Sequence, residues 1–106
     1  MSGLGNLNQL MKMAQKMQQD VARVQEEMGE KTVEVSSGGG AVKVVVNGRK
    51  EVVSLTIDPQ VLVPEEAEIL EEMIIAAVNQ GVRQAEEMMA QAIGKLTGGL
   101  KLPGLV

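Results

Sequence analysis

Three cations near the amino end of the chain are the residues best spaced to bind a polyanion. Lys12 and Lys16 are one helical turn apart, and Arg23 falls near the same helix face seven residues later. Cations in a row on one helix face can follow the phosphates of a nucleic acid. The same spacing is also typical of an ordinary solvated surface, so both interpretations stay open at this point.

The chain lacks the residue types on which most catalytic and metal sites are built. Among its 106 residues there is no Cys, His, Phe, Tyr or Trp. This excludes disulfides, thiol nucleophiles, imidazole bases, zinc sites with nitrogen or sulfur ligands, and aromatic stacking on bases. We therefore expect no enzymatic activity, no catalytic residue, no metal and no cofactor, although an enzyme built on acidic pairs is a further alternative.

Two other groups of residues have a functional and a structural interpretation. The run Gly38-Gly39-Gly40 could cradle a phosphate, but a strand follows it rather than a helix, which favours a turn between strands. Glutamates cluster where a helix is predicted to begin: Glu65, Glu66, Glu68, Glu71 and Glu72. They could bind a hard cation, but the helix dipole and solubility explain them more simply.

Charge is distributed unevenly, although the formal net charge is −4. Residues 1–19 and residues 88–106 each carry +2, whereas residues 64–87 carry −6. An acidic total argues against binding of a nucleic acid, since such domains usually present a basic surface. Any contact with a polyanion must therefore involve the two basic ends of the chain.

The length and the hydrophobic content indicate a small folded protein. Apolar residues make up 44% of the chain, and no apolar run approaches the roughly 20 residues of a membrane span. The amino end also lacks a basic flank before an apolar core. We expect one domain, residues 1–106, in the cytoplasm. A domain this small buries only part of its apolar surface, so contact with a partner subunit would stabilise it.

A helix is predicted from about residue 7 to residue 28, because apolar residues recur there in alternating steps of three and four. These positions are Leu7, Leu10, Ala14, Met17, Val21, Val24 and Met28. These positions form a narrow apolar stripe on one side of the helix, called the heptad seam below. So narrow a stripe favours packing against one partner helix. Asn6 is the expected cap, and Gly29 is the expected residue after the last turn.

Alternating apolar residues predict a three-stranded antiparallel meander over residues 32–57. The strand-like runs are Thr32–Ser36, Ala41–Val46 and Val52–Ile57. Asn47-Gly48 is typical of a two-residue hairpin turn with positive φ at both positions. That turn would place Val42 opposite Val53.

A second long helix is predicted over residues 64–96, with Pro64 at its first position and a flexible tail at residues 97–106. The fold class is therefore α+β, with the order α-β-β-β-α. Helices of this length overhang a strand of about 7 residues, which spans roughly 23 Å. Because the overhanging apolar stripes need cover, we expect an intertwined homodimer with projecting helical arms.

Beyond these patterns, the sequence resembles the YbaB/EbfC family of nucleoid-associated proteins over nearly its whole length. Segments in both helices, the sheet and the tail carry the resemblance: Asn6-Leu7, Leu10-Met11-Lys12, residues 14–18, residues 24–27, the glycine run before Val42-Lys43-Val44, Asn47-Gly48, Ile57-Asp58-Pro59, residues 76–79, residues 96–100 and Pro103-Gly104. The resemblance implies a tweezer-shaped homodimer that binds duplex DNA through its helical arms, with little sequence preference.

The candidate DNA-contacting residues are Lys12, Lys16, Arg23, Arg83, Lys95 and Lys101. The first two match basic positions in the first helix of the family, the next two follow from helix faces, and the last two from the charge distribution. If the arm tips combine the start of the first helix with the end of the second, they are basic although the chain is acidic. Contacts of this kind are made to phosphates rather than to base edges.

We therefore expect a non-enzymatic protein of the cytoplasm and nucleoid whose partners are duplex DNA and a second copy of itself. No membrane and no small-molecule substrate are expected, and the expected consequence is an effect on nucleoid organisation and on gene expression. The alternative is a homodimeric protein–protein adaptor. In that case the heptad seam or the Met-rich arms hold a partner helix, and DNA binding is incidental.

Overall fold

The protein is represented by a computed structural model that describes residues 2–98, with side chains from residue 5. Its elements in chain order are α1 (Ser2–Glu30), β1 (Thr32–Ser37), β2 (Val42–Asn47), β3 (Val52–Ile57) and α2 (Ala67–Leu96). The three strands form one antiparallel sheet in the order β1-β2-β3. The α+β class and the α-β-β-β-α order expected from the sequence are confirmed.

The core lies between α2 and the first two strands. Val42, Val44 and Val46 alternate along β2 and are completely buried on the face that α2 covers, as are Ala77 and Ala85 of the helix. Small helix residues let the backbone of α2 approach the valines closely. Since β-branched side chains are stiff, this contact fixes the distance between the helix and the sheet.

One close approach of helix and sheet is at Gly81, which is buried in the middle of α2. A Cβ atom there would lie 2.6 Å from Cγ2 of Val46. The other internal glycine of α2, Gly94, has open space around its Cα. The same substitution at the two positions therefore separates packing from helix propensity.

We expect Gly81→Ala to lower the free energy of unfolding by about 1–2 kcal/mol, because Val46 cannot move aside without strain. Gly94→Ala should raise it by about 0.5–1 kcal/mol, because alanine is the better helix former. Thermal melts followed by far-UV circular dichroism at one protein concentration would measure both. Equal effects of the two variants would contradict the packing of Gly81 on Val46.

The hairpin between β2 and β3 differs from the expected two-residue turn. The amide of Asn47 donates to the carbonyl of Glu51 at 2.9 Å, so three residues, 48–50, form the loop. Positive φ occurs at Lys50 (66°) and at neither Asn47 nor Gly48. The Asn47 side chain accepts hydrogen bonds from the amides of Arg49 and Glu51, which stabilises this longer turn.

The longer turn changes the register, so the expected pairing of Val42 with Val53 is wrong. Val42 pairs with Ile57, and Val44 pairs with Leu55, with an irregularity beside Val45 and Val46. Apolar residues of β3 still share a face with those of β2. This irregularity is a β-bulge, because one extra residue of β3 lies between the partners of Val45 and Val46. From the bulge toward the hairpin loop, the residues of β3 that share a face with those of β2 are offset by one position.

Both helices begin differently from the expectation. α1 begins at Ser2, before Asn6, and includes Gly29 within its last turn. Residues 64–66 form a 3₁₀ turn that starts at Pro64, and α2 follows it from Ala67 to Leu96. The glycine run forms a turn with positive φ at all three residues and joins β1 to β2. Of the expected tail, residues 99–106 lie outside the described residues.

The chain is long and thin. Its extents are 77 × 24 × 16 Å and its radius of gyration is 20.6 Å, whereas a compact chain of this length has about 13 Å. The cause is α1, which packs on α2 only near its own carboxyl end. There, Val24 and Met28 lie across a groove from Met88 and Ala92.

Among residues 5–98, nothing packs on α1 beyond that contact, because α2 ends at Leu96. We call residues 5–16 the distal arm, since each of them is exposed. It is about 18 Å long at 1.5 Å per residue. The remaining part of α1, residues 17–30, is called the arm base.

Candidate nucleic-acid interface

Lys12 and Lys16 lie on the distal arm, and both side chains are exposed. Four residues of helix separate them by about 6 Å along the axis and 40° around it. By the same helical geometry they point roughly opposite Leu10 and Ala14 of the apolar seam. Residues 5–19 contain no carboxylate, and within residues 5–98 no acidic group is in ion-pair contact with either lysine. The distal arm therefore has a purely basic polar face.

Arg23 lies at the arm base and is held by two carboxylates of its own helix. Its Nη1 donates to Oδ1 of Asp20 at 3.2 Å, and its Nε is 3.9 Å from Oε1 of Glu27. These partners are three residues before and four residues after it, where helical neighbours meet. Arg23 shares the helix face of the two lysines, but unlike them it is in ion-pair contact with carboxylates.

Arg83 is exposed on α2 but is far from the arm. It lies two residues after Gly81, over the sheet, and Glu86 and Glu87 follow it at the spacing of one turn. Along α2 it is about 18 Å from Lys95. The structure therefore does not bring Arg83 together with the other candidate cations.

Lys95 is in the last turn of α2, at the rim of the groove between the two helices. This groove has a volume of about 370 Å³, and Lys31 and Glu27 of the other side also line it. Lys31 is a cation that the sequence analysis did not nominate. The signal that could have found it is its position directly after α1. Lys101 lies outside the described residues.

The part of the chain that is described forms neither a metal-binding cluster nor a membrane-spanning helix. Within residues 2–98, no three acidic residues converge in a way that could hold a metal ion. In the same range, neither helix combines the length and the apolar character that a membrane span requires. Of the glutamates around the start of α2, Glu65, Glu68, Glu71 and Glu72 are exposed and Glu66 is partly exposed.

Fold and surface together define an elongated α+β chain whose basic face lies on a projecting helix. The chain belongs to the YbaB/EbfC DNA-binding family, whose sequence model matches residues 3–100. Membership rests on nearly the whole chain, including both helices and the sheet.

Two relatives named nucleoid-associated proteins are similar over 90% or more of their length. A nucleoid-associated protein of Pelotomaculum thermopropionicum is 56% identical over 101 residues, which are 95% of this chain and 96% of that protein. One of Acetivibrio thermocellus is 56% identical over 102 residues, or 95% of this chain and 90% of that one. The crystal structure of the uncharacterized protein HP0035 from Helicobacter pylori matches with a TM-score of 0.76 and 28% identity, covering 86% of this chain and 96% of that chain.

Proposed function

We propose that the protein binds duplex DNA through its phosphates, with Lys12 and Lys16 of the distal arm as the main contacts. The observation that carries the proposal is the acid-free basic face of an exposed helix, in a chain whose family is described as DNA-binding. Lysine ammonium groups bind phosphates as point charges and do not depend on base sequence. Binding with little sequence preference follows.

The binding unit in this proposal is a homodimer. Part of the apolar surface is open, since α2 packs on β1 and β2 and most residues of β3 are exposed. Large apolar side chains of β3, of the segment after it and of α2 are between 41% and 60% exposed: Val52, Val53, Leu55, Leu62, Val63, Ile69 and Ile75. A surface of this kind is typical of an interface between protein chains. A second copy would cover it and leave the two arms free to straddle a duplex.

The cellular role follows from binding of this kind. A dimer that contacts phosphates at many sites affects how DNA is organised in the nucleoid, and through it the expression of genes. We place the protein in the cytoplasm, on the nucleoid, without enzymatic activity. Relatives that are named nucleoid-associated proteins support this placement.

The proposal predicts that binding falls steeply as salt rises. Each phosphate neutralised contributes about −0.9 to the slope of log K against log salt, so two lysines on each of two arms give a slope of about −4. Fluorescence anisotropy of a labelled duplex of about 30 base pairs, titrated with protein at several salt concentrations, would measure this slope. Protein concentration must come from peptide absorbance, because the chain has no Trp or Tyr.

One observation favours a second candidate function, the protein–protein adaptor. Leu7 and Leu10 of the seam are 51% and 61% exposed, and Met11 and Met13 beside them are exposed as well. Amphipathic helices of this kind also bind partner helices. Absence of DNA binding at about 50 mM salt, where phosphate contacts are strong, would replace the DNA-binding proposal by this one.

A further inference from the structure

The charge of α1 changes sign along its length. Neither of the two lysines before residue 20 is in ion-pair contact with an acid of residues 5–98, whereas residues 20–30 contain Asp20, Glu26, Glu27 and Glu30 against Arg23 alone. The α1 helix therefore carries a charge of +2 over residues 5–19 and −3 over residues 20–30. The change of sign falls one turn after Lys16.

Arg23 lies in the acidic part of α1, so the change of sign affects this residue most. By helical geometry it is within about 20° of Lys12 around the axis, so it would be the third phosphate contact on one face. Its guanidinium instead meets carboxylates on both sides, Asp20 at 3.2 Å and Glu27 at 3.9 Å. The Asp20 side chain is only 20% exposed, so its carboxylate stays near the helix surface and beside Arg23.

Pairing alone does not remove Arg23 from DNA, because exposed ion pairs are weak and exchange easily. The stronger effect is repulsion between the carboxylates and any phosphate that Arg23 could reach. Residues 20–30 span about 15 Å of helix, which is comparable to the Debye length of about 10 Å at 0.1 M salt. A phosphate beside Arg23 would therefore feel several carboxylates that salt does not screen fully.

We propose that Asp20 and Glu27 keep Arg23 out of the DNA contact and so end the DNA-binding surface of the arm after Lys16. This inference rests on the proposed function and deepens it, because it defines where the bound duplex stops on α1. Lys12 and Lys16 bind phosphates, and Arg23 serves only to neutralise its own helix. The acidic arm base limits affinity and keeps the complex easy to dissociate.

The test is the double variant Asp20→Asn with Glu27→Gln, which keeps the shapes of both side chains and removes both charges. Arg23 then becomes available, so we expect affinity for the 30-base-pair duplex probe to rise about tenfold, and the salt slope to steepen by about 0.9 for each arm. Adding Arg23→Gln to this double variant should remove most of the gain. In the wild-type background, Arg23→Gln should lower affinity by only about twofold, since it makes no phosphate contact there and only its neutralising charge is lost.

A matched control separates this local effect from net charge. Glu71→Gln with Glu72→Gln removes two exposed carboxylates from α2 and should leave the salt slope unchanged. An equal gain from this control would overturn the inference, as would a roughly tenfold loss from Arg23→Gln in the wild type. Binding by the wild type with no gain in the Asp20/Glu27 variant overturns the inference alone. Absence of binding by every variant overturns the proposed function and the inference with it.

Discussion

A protein that carries Lys12→Glu together with Lys16→Glu is expected to lose DNA binding. The two changes alter the charge of each distal arm by −4, which turns its basic face acidic. Every phosphate contact of that face is then replaced by repulsion, so affinity should fall by about 100-fold or more at low salt. The anisotropy titration with a duplex of about 30 base pairs measures this loss directly.

The control must make the same charge change elsewhere on the chain. Lys43 on β2 and Lys50 in the hairpin loop are exposed and lie on the body of the protein, away from the distal arm. The pair Lys43→Glu and Lys50→Glu should weaken binding much less. Sedimentation and circular dichroism should show that both double variants keep their assembly and helix content. If the Lys12/Lys16 variant binds as tightly as the wild type at all salt concentrations, these lysines do not form the site.

The sequence predicted the elements well because their patterns are local. Alternation in β2 places Val42, Val44 and Val46 on one buried face, and a helical repeat places Val24 and Met28 toward α2. The hairpin was predicted less well, because its loop also contacts the end of α1, a contact that no local pattern contains. Position 48 requires glycine because its backbone lies against the end of α1, where a Cβ atom would not fit. Asn47-Gly48 therefore occurs here without forming the two-residue turn of which it is typical.

Of the candidate site, the sequence predicted only which residues share a helix face, because that too is a local pattern. Helical spacing places Lys12 and Lys16 on one face, and the same spacing could have predicted the pairs of Arg23 with Asp20 and Glu27. The distance of Arg83 from the arm could not be read from the sequence, because it depends on where α2 crosses the sheet. The position of Lys31 directly after α1 could be read from the sequence, but its place in the same groove as Lys95 depends on the packing of the two helices.

The second large effect is expected at Gly48, which joins the hairpin to the arm base. Its amide donates to the carbonyl of Lys31 at 2.9 Å. A Cβ atom at this position would overlap the backbone carbonyl of Met28 and lie 3.0 Å from Cα of Gly29. Because both neighbours are backbone atoms, no side-chain rotation relieves the clash. Gly48→Ala should therefore lower the free energy of unfolding by about 3 kcal/mol, a fall of at least about 12 °C in Tm.

Gly39→Ala is the matched control, because it places the same methyl group on a glycine with positive φ (67°) and open space around it. Its cost is conformational and should be only about 1 kcal/mol. Thermal melts at one protein concentration compare the two variants, and equal losses would contradict the contact between Gly48 and α1. A larger loss at Gly48 should be accompanied by weaker DNA binding in the anisotropy titration. In the proposed dimer, Lys12 and Lys16 act together with the second arm only while the hairpin holds the end of α1 in place.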